Sequence, residues 1–445
     1  MYDRRDFAGW RERSVYELAR WKNGLAFKNI DFSPSGRPVI KIAELKAGIT
    51  PQTARTSATY DQSVFVRAGD MLFSWSGNPD TSIDVFRWRG EDGWLNQHIF
   101  KVTPDEGIDE EFLFFVLRWL KPRFAEIARN KQTTGLGHVT LQDLKRMVVG
   151  VPELDEQRRI TSIVSPYEDK IELNRRMNET LEAMAQAIFR DWFVDFGPVR
   201  RKLAGETDPV AIMGGLSADP ARAAEVAGLF PATLGEEGLP EGWTAGAAGA
   251  LIEFNPREPL RKGAAAPYSD MSSLPTVGSN ADLPIMRDFG SGMRFRNGDA
   301  LLARITPCLE NGKAAFVDFL TEEFPVGWGS TEFIVHRARP GTPRALPYLL
   351  CRNDDYRSHA IQSMTGTSGR QRAQAESLEA WPMAIPTGPV LDAFSAFVDA
   401  FFDRISANGR ENRTLAETRD YLLPRLMSGQ VRVGESAKFA SEVAA

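Results

Sequence analysis

Two short polar loops in this chain are flanked by basic side chains, and the chemistry such a set offers is the neutralisation of phosphate. Arg118, Lys121, Arg123, Arg129 and Lys131 lie on and beyond a helical stretch that leads into Thr133-Thr134-Gly135-Leu136-Gly137. Arg352, Arg357, Arg370 and Arg372 stand in the same way around Thr365–Gly369. Lys and Arg hold phosphates, while a polar loop carries amides, hydroxyls or guanidinium groups to base edges. Gln132, His138, Arg370 and Gln371 are the candidates for base reading, with Thr133, Thr134, Thr367 and Ser368 beside them in the loops. Ser74-Trp75-Ser76-Gly77-Asn78 and Arg304-Ile305-Thr306 leave strands at corresponding places, which adds Ser74, Asn78, Arg304 and Thr306 to the DNA-binding set. The bland readings stand beside these: a solvated helix face for the basic set, and a core position for Trp75. Asn96-Gln97-His98 and Ser330-Thr331-Glu332 read more readily as turn chemistry at strand entries.

Catalytic patterns are missing from the sequence. It has no G-x-x-x-x-G-K-[ST] phosphate loop, and Gly135-Leu136-Gly137 lacks the third glycine and the strand–helix setting of a dinucleotide site. Asn255-Pro256-Arg257 is not the Asn/Asp-Pro-Pro-aromatic tetrapeptide of amino-methyltransferases. The four histidines, His98, His138, His336 and His359, are scattered without ligand spacing. Glu44-Leu45-Lys46 is a nuclease-like triplet with no upstream acidic partner, and a surface charge pair is the simpler account. The two cysteines, Cys308 and Cys351, are too few for a disulfide framework or a thiolate metal cluster. No metal or cofactor is expected on this chain. A net charge of −5 argues against indiscriminate coating of nucleic acid, so any DNA binding must come from local basic faces. No apolar run approaches the ~18 residues that span a bilayer, and MYDRRDFAGW carries no apolar signal core. A cytoplasmic, non-membrane protein is expected.

The elements that must position these loops are organised around one long helix, read from Pro152 to Phe196. Ile160, Val164, Tyr167, Ile171, Asn174, Asn178, Leu181, Ala185, Ile188 and Trp192 recur in alternating steps of four and three, the repeat of a helix packed along one partner. Asn174 and Asn178 are polar members of that seam, and seam asparagines fix register because a slip leaves their amides unpaired. A constant shift that lays Lys170-Ile171 on Arg404-Ile405 also lays Asn174 on Asn408 and Asn178 on Asn412. The second seam is then Phe394, Val398, Phe401, Ile405, Asn408, Asn412, Leu415, Arg419, Leu422 and Leu426. The globular part echoes itself as well. Gly242-Trp243 matches Gly9-Trp10, Gly298-Asp299 matches Gly69-Asp70, and Ile385-Pro386 matches Val151-Pro152. The chain is a tandem duplication.

The expected fold is α+β: two similar α/β recognition domains and two long helices packed as an antiparallel coiled coil, with an internal pseudo-twofold. The boundaries are 1–152 for the first domain, 153–196 for the first spacer helix, and 197–238 for a connector. The second domain is 239–386, the second spacer helix 387–428, and the tail 429–445. The connector permits a short helix at Pro220–Gly228 but no large core. In the first domain, strands are expected at Val39–Ile42, Asp70–Trp75 and His98–Val102. A helix over Glu110–Asn130 is expected to kink at Pro122.

This plan resembles the DNA-specificity subunit of type I restriction–modification systems over essentially the whole chain. The residues that carry the likeness are Gly9-Trp10, Gly69-Asp70 and Val151-Pro152 running into Asp155-Glu156-Gln157-Arg158-Arg159-Ile160, then Lys170-Ile171, Asn174, Leu181-Glu182 and Leu422–Gly429. The resemblance implies a non-catalytic subunit whose two heads each read one half of a split, asymmetric DNA site, with the helix pair setting the spacer. It implies two adenine-methyltransferase subunits clamping the helix pair and restriction translocase–nuclease subunits joining them. S-adenosylmethionine and ATP belong to those partners. Glu156, Gln157, Arg158 and Arg159 are then partner-facing, although a plain helix start gives acids the same place. Of the aromatic cluster Phe189, Trp192, Phe193 and Phe196, part is expected to close the helix pair and part to meet the methyltransferase. Gly388–Phe394 lacks the Asp-Glu-Gln-Arg signature at the corresponding place. Two other classes remain open on the sequence: a stand-alone two-headed DNA-binding regulator, and a protein–protein scaffold.

Overall fold

The computed structural model describes residues 10–50, 52–131, 136–367 and 369–431. The described chain divides into two compact units, one ending at Ile171 and resuming at Arg413, the other Glu172–Asn412. Each contains one head and parts of both long helices.

In the first unit the central strand is Met71–Ser74, buried at all four positions and launched by Gly69, whose φ is +96°. Asp70 closes that turn by accepting from the Arg67 N–H, and its carboxylate takes Lys101 Nζ at 2.6 Å. Met71–Ser74 lies antiparallel between Ile99–Pro104 and Asp84–Arg87, with Ala19–Asn23 completing the sheet. A second four-stranded sheet runs in the order Arg55–Thr56, Arg37–Ile40, Gly93–Leu95, Phe65–Val66, and its middle pair is parallel. Val39–Ile42 is thus strand only to Ile40, and Ile42–Ala47 is a short helix. The segment around Pro122 breaks rather than kinks: Glu110–Trp119 and Lys121–Asn130 are separate helices. Pro122 has no N–H to return to the preceding turn, and the second helix restarts with it in its first turn.

The second unit repeats this plan strand for strand. Ile252–Phe254, Phe333–Ala338, Ala300–Ala303 and Ala314–Phe316 form one sheet in the order matching the first. Ile285–Asp288, Ala265–Ser269, Gly327–Gly329 and Met293–Phe295 form the other, again with a parallel middle pair. The connector holds the expected helix at Pro220–Gly228 and adds to it. It folds into helices Gly197–Leu203, Pro209–Ile212 and Pro220–Gly228, and Val199, Ile212, Val226 and Phe230 join the main core of the unit. Small residues let these short helices pack closely. Lys202 Nζ ties them by donating to the carbonyls of Ala227 and Phe230.

Leu154–Phe193 and Gly388–Met427 are helices of 40 residues each. Within the second unit they run antiparallel: Trp192 and Phe193 pack on Phe394, while Asn174 reaches Asn412. Asn174 Nδ2 donates to Asn412 Oδ1 at 3.0 Å, and Asn408 Nδ2 donates to Asn178 Oδ1 at 2.7 Å. The duplication relates one of these amide pairs to the other. Within the first unit, Ile160 and Val164 share a core with Leu422, Leu426 and Met427. Polar Arg419 is held in that seam by Glu168 at 2.5 Å. One seam position moves: Phe402, not Phe401, is the fully buried aromatic, against Phe316 and Tyr348.

Candidate nucleic-acid interface

The polar segments singled out in each head converge through the main chain, and they do so on the same frame twice. In the first head Trp75 N–H donates to the His98 carbonyl at 3.2 Å, and Val139 N–H donates to the Trp75 carbonyl at 2.8 Å. Ser76–Gly77 then pairs with Gly137–His138. In the second head Arg304 N–H donates to the Glu332 carbonyl at 2.9 Å, and Ala373 N–H to the Arg304 carbonyl at 2.8 Å. Arg372 pairs with Ile305 in a β-bridge, and Thr306 N–H donates to the Gln371 carbonyl at 3.0 Å. Trp75, His98 and His138 therefore occupy the places of Arg304, Glu332 and Arg372.

The side chains on this frame differ in kind. Trp75 is half-buried, stacks on Phe100 at 5.8 Å, lies 5.5 Å from the His98 ring, and donates from Nε1 to Asn23 Oδ1. It packs and borders solvent at once. In the second head Arg372 grips Glu332 with Nε at 2.9 Å and Nη2 at 2.6 Å. Those hydrogen bonds hold the Glu332 carboxyl below the usual range. Arg304 Nη2 is braced by Gln374 Oε1 at 3.1 Å. Sequence reasoning set Glu332 aside as turn chemistry. Its match to His98 in the repeat was the available signal.

Much of the basic set is already paired with acids of its own unit. Lys121 meets Asp84 at 2.5 Å, Arg129 meets Asp80, and Arg118 meets Glu168 at 3.4 Å. Lys131 meets Asp143 at 2.6 Å; burial raises the Asp143 carboxyl, but the bonds from Lys131 and Thr140 outweigh it and leave it below the usual range. Arg357 pairs with Asp354 at 2.9 Å. Arg370 and Thr367 are exposed, and His138 and Gln371 are partly so. Thr306 Oγ1 accepts from the Gln371 N–H. The exposed Asn78 uses its Oδ1 to cap a turn at Asp80 and Thr81. Gln132, Thr133, Thr134 and Ser368 lie outside the described residues.

Two DNA candidates are corrected. Ser74 is fully buried in the central strand, so its hydroxyl faces the core. Arg352 is a structural anchor: its guanidinium donates to the carbonyls of Thr276, Gly278, Gly312 and Ala314, and Nε to the Tyr348 hydroxyl. All five donors are used, so none is left for a phosphate. Tyr348 in turn donates to Glu182, whose carboxyl is raised by burial against the pull of Tyr348 and Arg352.

The partner-facing set divides too. Arg158 and Arg159 are exposed and Glu156 is half-exposed. Gln157 is buried, accepting from the Asp109 N–H and donating to the carbonyls of Gly107 and Pro152. It ties the helix start to its own head. At the corresponding place in the second helix Leu391 is buried in the apolar core, so a packing contact replaces the polar tie. Phe189, Trp192 and Phe193 are buried within their own unit, against Phe230 and Phe394 among others, and are not reserved for a partner.

Among the described residues no group of three or more His, Cys, Asp or Glu is placed to hold a metal, and no helix is long and apolar enough to cross a membrane. Two similar heads thus repeat one polar main-chain frame with different side chains. Residues 8–183 match the family model described as the type I restriction modification DNA specificity domain. The HindI specificity subunit of Haemophilus influenzae is 24% identical over 407 residues, covering 82% of this chain and 87% of that protein. The MjaIX specificity subunit of Methanocaldococcus jannaschii is 21% identical over 360 residues, covering 76% and 73%. Among solved structures, the type I restriction–modification S subunit from M. genitalium aligns over 96% of this chain and 98% of its own at 12% identity and a TM-score of 0.48. The first head and the start of the long helix after it thus match the type I restriction modification DNA specificity domain, and the relatives similar over most of the chain are type I restriction enzyme specificity subunits.

Proposed function

We propose that each head reads a few base pairs of one half of a split DNA site, and that the helix pair sets the length of the unread spacer. The observation that carries this is the repeated main-chain frame bearing Trp75, His98 and His138 in one head and Arg304, Glu332 and Arg372 in the other. Equal frames suit two similar approaches to duplex DNA, and unequal side chains suit unequal half-sites. Each 40-residue helix is about 60 Å long at ~1.5 Å per residue, a length fixed by sequence rather than by flexible loops. The paired amides Asn174–Asn412 and Asn178–Asn408 support a fixed register, since sliding by one turn would separate them. The domains are 1–152 and 239–386, with spacer helices 153–196 and 387–428.

In this reading the partners are duplex DNA, two adenine-methyltransferase subunits against the helix pair, and the restriction subunits. Glu156, Arg158 and Arg159 remain the residues of this chain for docking a methyltransferase. The exposed or partly exposed Arg123, Arg129, Lys131, His138, Thr367, Arg370, Gln371 and Arg372 are among its DNA-facing residues. A methylome map of a host expressing this chain with its genomic methyltransferase neighbour tests the reading. A split motif with modified adenines in both halves is expected, and exchange of residues 1–150 for another head is expected to change one half alone. A change in both halves, or modification without a split motif, overturns it.

A further inference from the structure

The second head contains a half-exposed arginine, Arg372, gripped along one side by a glutamate, Glu332. Arg372 presents its side-on face to Glu332: Nε lies 2.9 Å from both carboxylate oxygens, and Nη2 lies 2.6 Å from Oε1. A guanidinium has five N–H donors in a rigid plane, so a carboxylate taken on the Nε–Nη2 face leaves the Nη1–Nη2 end directed away from it. Among the described residues that end carries only one long contact, from Nη1 to the Arg370 carbonyl at 3.4 Å. The side chain is 41% exposed while its glutamate partner is 23% exposed, so the pair is anchored inside and open outside. The main chain of Arg372 is fixed on both sides, by the bridges to Ile305 and Thr365. Arg304 and Arg372 face a single carboxylate, so the trio keeps a net positive charge toward any phosphate backbone nearby.

We propose that Arg372, held by Glu332, donates from Nη1 and Nη2 to O6 and N7 of a guanine in the half-site read by the second head. Glu332 is its positioning residue. The inference rests on the reading of the chain as a two-headed DNA-specificity subunit, and it names one base within that reading. Two parallel donors at the end of an arginine fit the two acceptors that guanine alone presents side by side in the major groove. A free arginine would have to order several side-chain torsions on binding; the carboxylate clamp has already done so. The first head lacks the device, because His138 and His98 stand where Arg372 and Glu332 do. The same frame there offers no guanidinium fork.

The test uses the full chain assembled with its methyltransferase partner, challenged with a pool of random-sequence duplex DNA whose bound fraction is sequenced. The wild-type complex is expected to select a split site with one invariant guanine in the half-site that changes when residues 239–386 are exchanged. Replacing that guanine by 7-deazaguanine, which lacks the N7 acceptor, is expected to weaken wild-type binding about tenfold or more. Arg372→Ala and Arg372→Lys are both expected to lose the preference for that guanine and the sensitivity to 7-deazaguanine, while every other selected position is retained. Glu332→Gln is expected to reduce the same preference in part. Uniform weakening of all duplexes by Arg372→Ala, with the preference kept in Arg372→Lys, overturns the proposal in favour of a phosphate contact. An unchanged selected site in all three variants overturns it outright. A wild-type complex that selects no split site overturns the specificity reading itself, a failure visible before any substitution is made.

Discussion

The two heads solve the same structural problems with different side chains, and the comparison separates what the fold requires from what recognition leaves open. Both start the central strand with a Gly-Asp turn whose carboxylate accepts from the main chain three residues earlier, Arg67 for Asp70 and Arg296 for Asp299. Both then neutralise that aspartate from the neighbouring strand. The first head uses Lys101 at 2.6 Å; the second uses Arg337, bidentate at 2.7 Å and shared with Glu258. At Asp299 burial pushes the carboxyl up, and the bonds from Arg337 and Arg296 oppose it. The turn is a requirement of the fold, and the choice of cation is free. The Trp75–His98–His138 and Arg304–Glu332–Arg372 positions obey the same logic at the border of the core, where the side chains are only partly packed. Exchange is tolerated where the main chain makes the bonds.

A second difference lies in how each head is tied to a long helix. Arg352 uses every donor on carbonyls and on Tyr348, beside buried Glu182 of the first helix. Its counterpart in the repeat, Arg118, makes a looser 3.4 Å pair with Glu168 and lies over the Phe114 ring. Truncating the two separates these designs most sharply. Arg352→Ala is expected to destabilise the protein by about 3–5 kcal/mol, because it strands a buried carboxylate and several carbonyls. Arg118→Ala is expected to cost about 1 kcal/mol. Denaturant unfolding of both variants measures the gap, and equal losses would dissolve the distinction.

The Gly-Asp turns give a smaller contrast. Asp299 is 1% exposed at its side chain with Arg337 at 10%, whereas Asp70 and Lys101 are 25% and 18% exposed. Asp299→Ala leaves a buried guanidinium with one remaining acid and is expected to cost about 3 kcal/mol. Asp70→Ala leaves a flexible ammonium near solvent and is expected to cost about 1 kcal/mol. Thermal midpoints of the two variants check the order; Asp70→Ala proving the more harmful would reverse the argument from burial.

The least effect concerns acid. Glu332 and Asp143 both sit below their ordinary range in the folded chain, so each contributes stability that is full above the unfolded carboxylate value, about 4. That contribution is lost as pH falls through the lower folded value. Glu332→Gln and Asp143→Asn are expected to flatten the acid side of the stability profile between about pH 5 and 2, each by about 1 kcal/mol or less. Titration of unfolding midpoints over that range reads it. A steeper acid limb in either variant would mean that the pairings with Arg372 or Lys131 do not form in solution.

Much of this architecture was legible in the sequence because period and repetition survive without coordinates. The alternation of four and three found both long helices, and the recurrence of Asn174 and Asn178 as Asn408 and Asn412 announced their pairing. The echo of Gly69-Asp70 in Gly298-Asp299 aligned the central strands. The site was less legible. Arg352 read as a phosphate contact because local composition cannot reveal that four carbonyls converge on it from loops far away in the chain. Gln157 and Trp192 read as partner-facing because their helix offers no sign of which side its own head covers. Glu332 was set aside because its partner Arg372 lies 40 residues on. The connector read as coreless because its few apolar residues, Val199, Ile212, Val226 and Phe230, acquire a core only by docking on one already present.

The sequence by itself determined the duplication, the two long helices and their register marks. Each of these is written in spacing, which a helix or strand converts directly into a face. Tertiary structure alone decided which cations are spent inside and which carboxylate pairs with which guanidinium. Those are meetings of residues distant in sequence, fixed by main-chain hydrogen bonds and packing that no local pattern encodes.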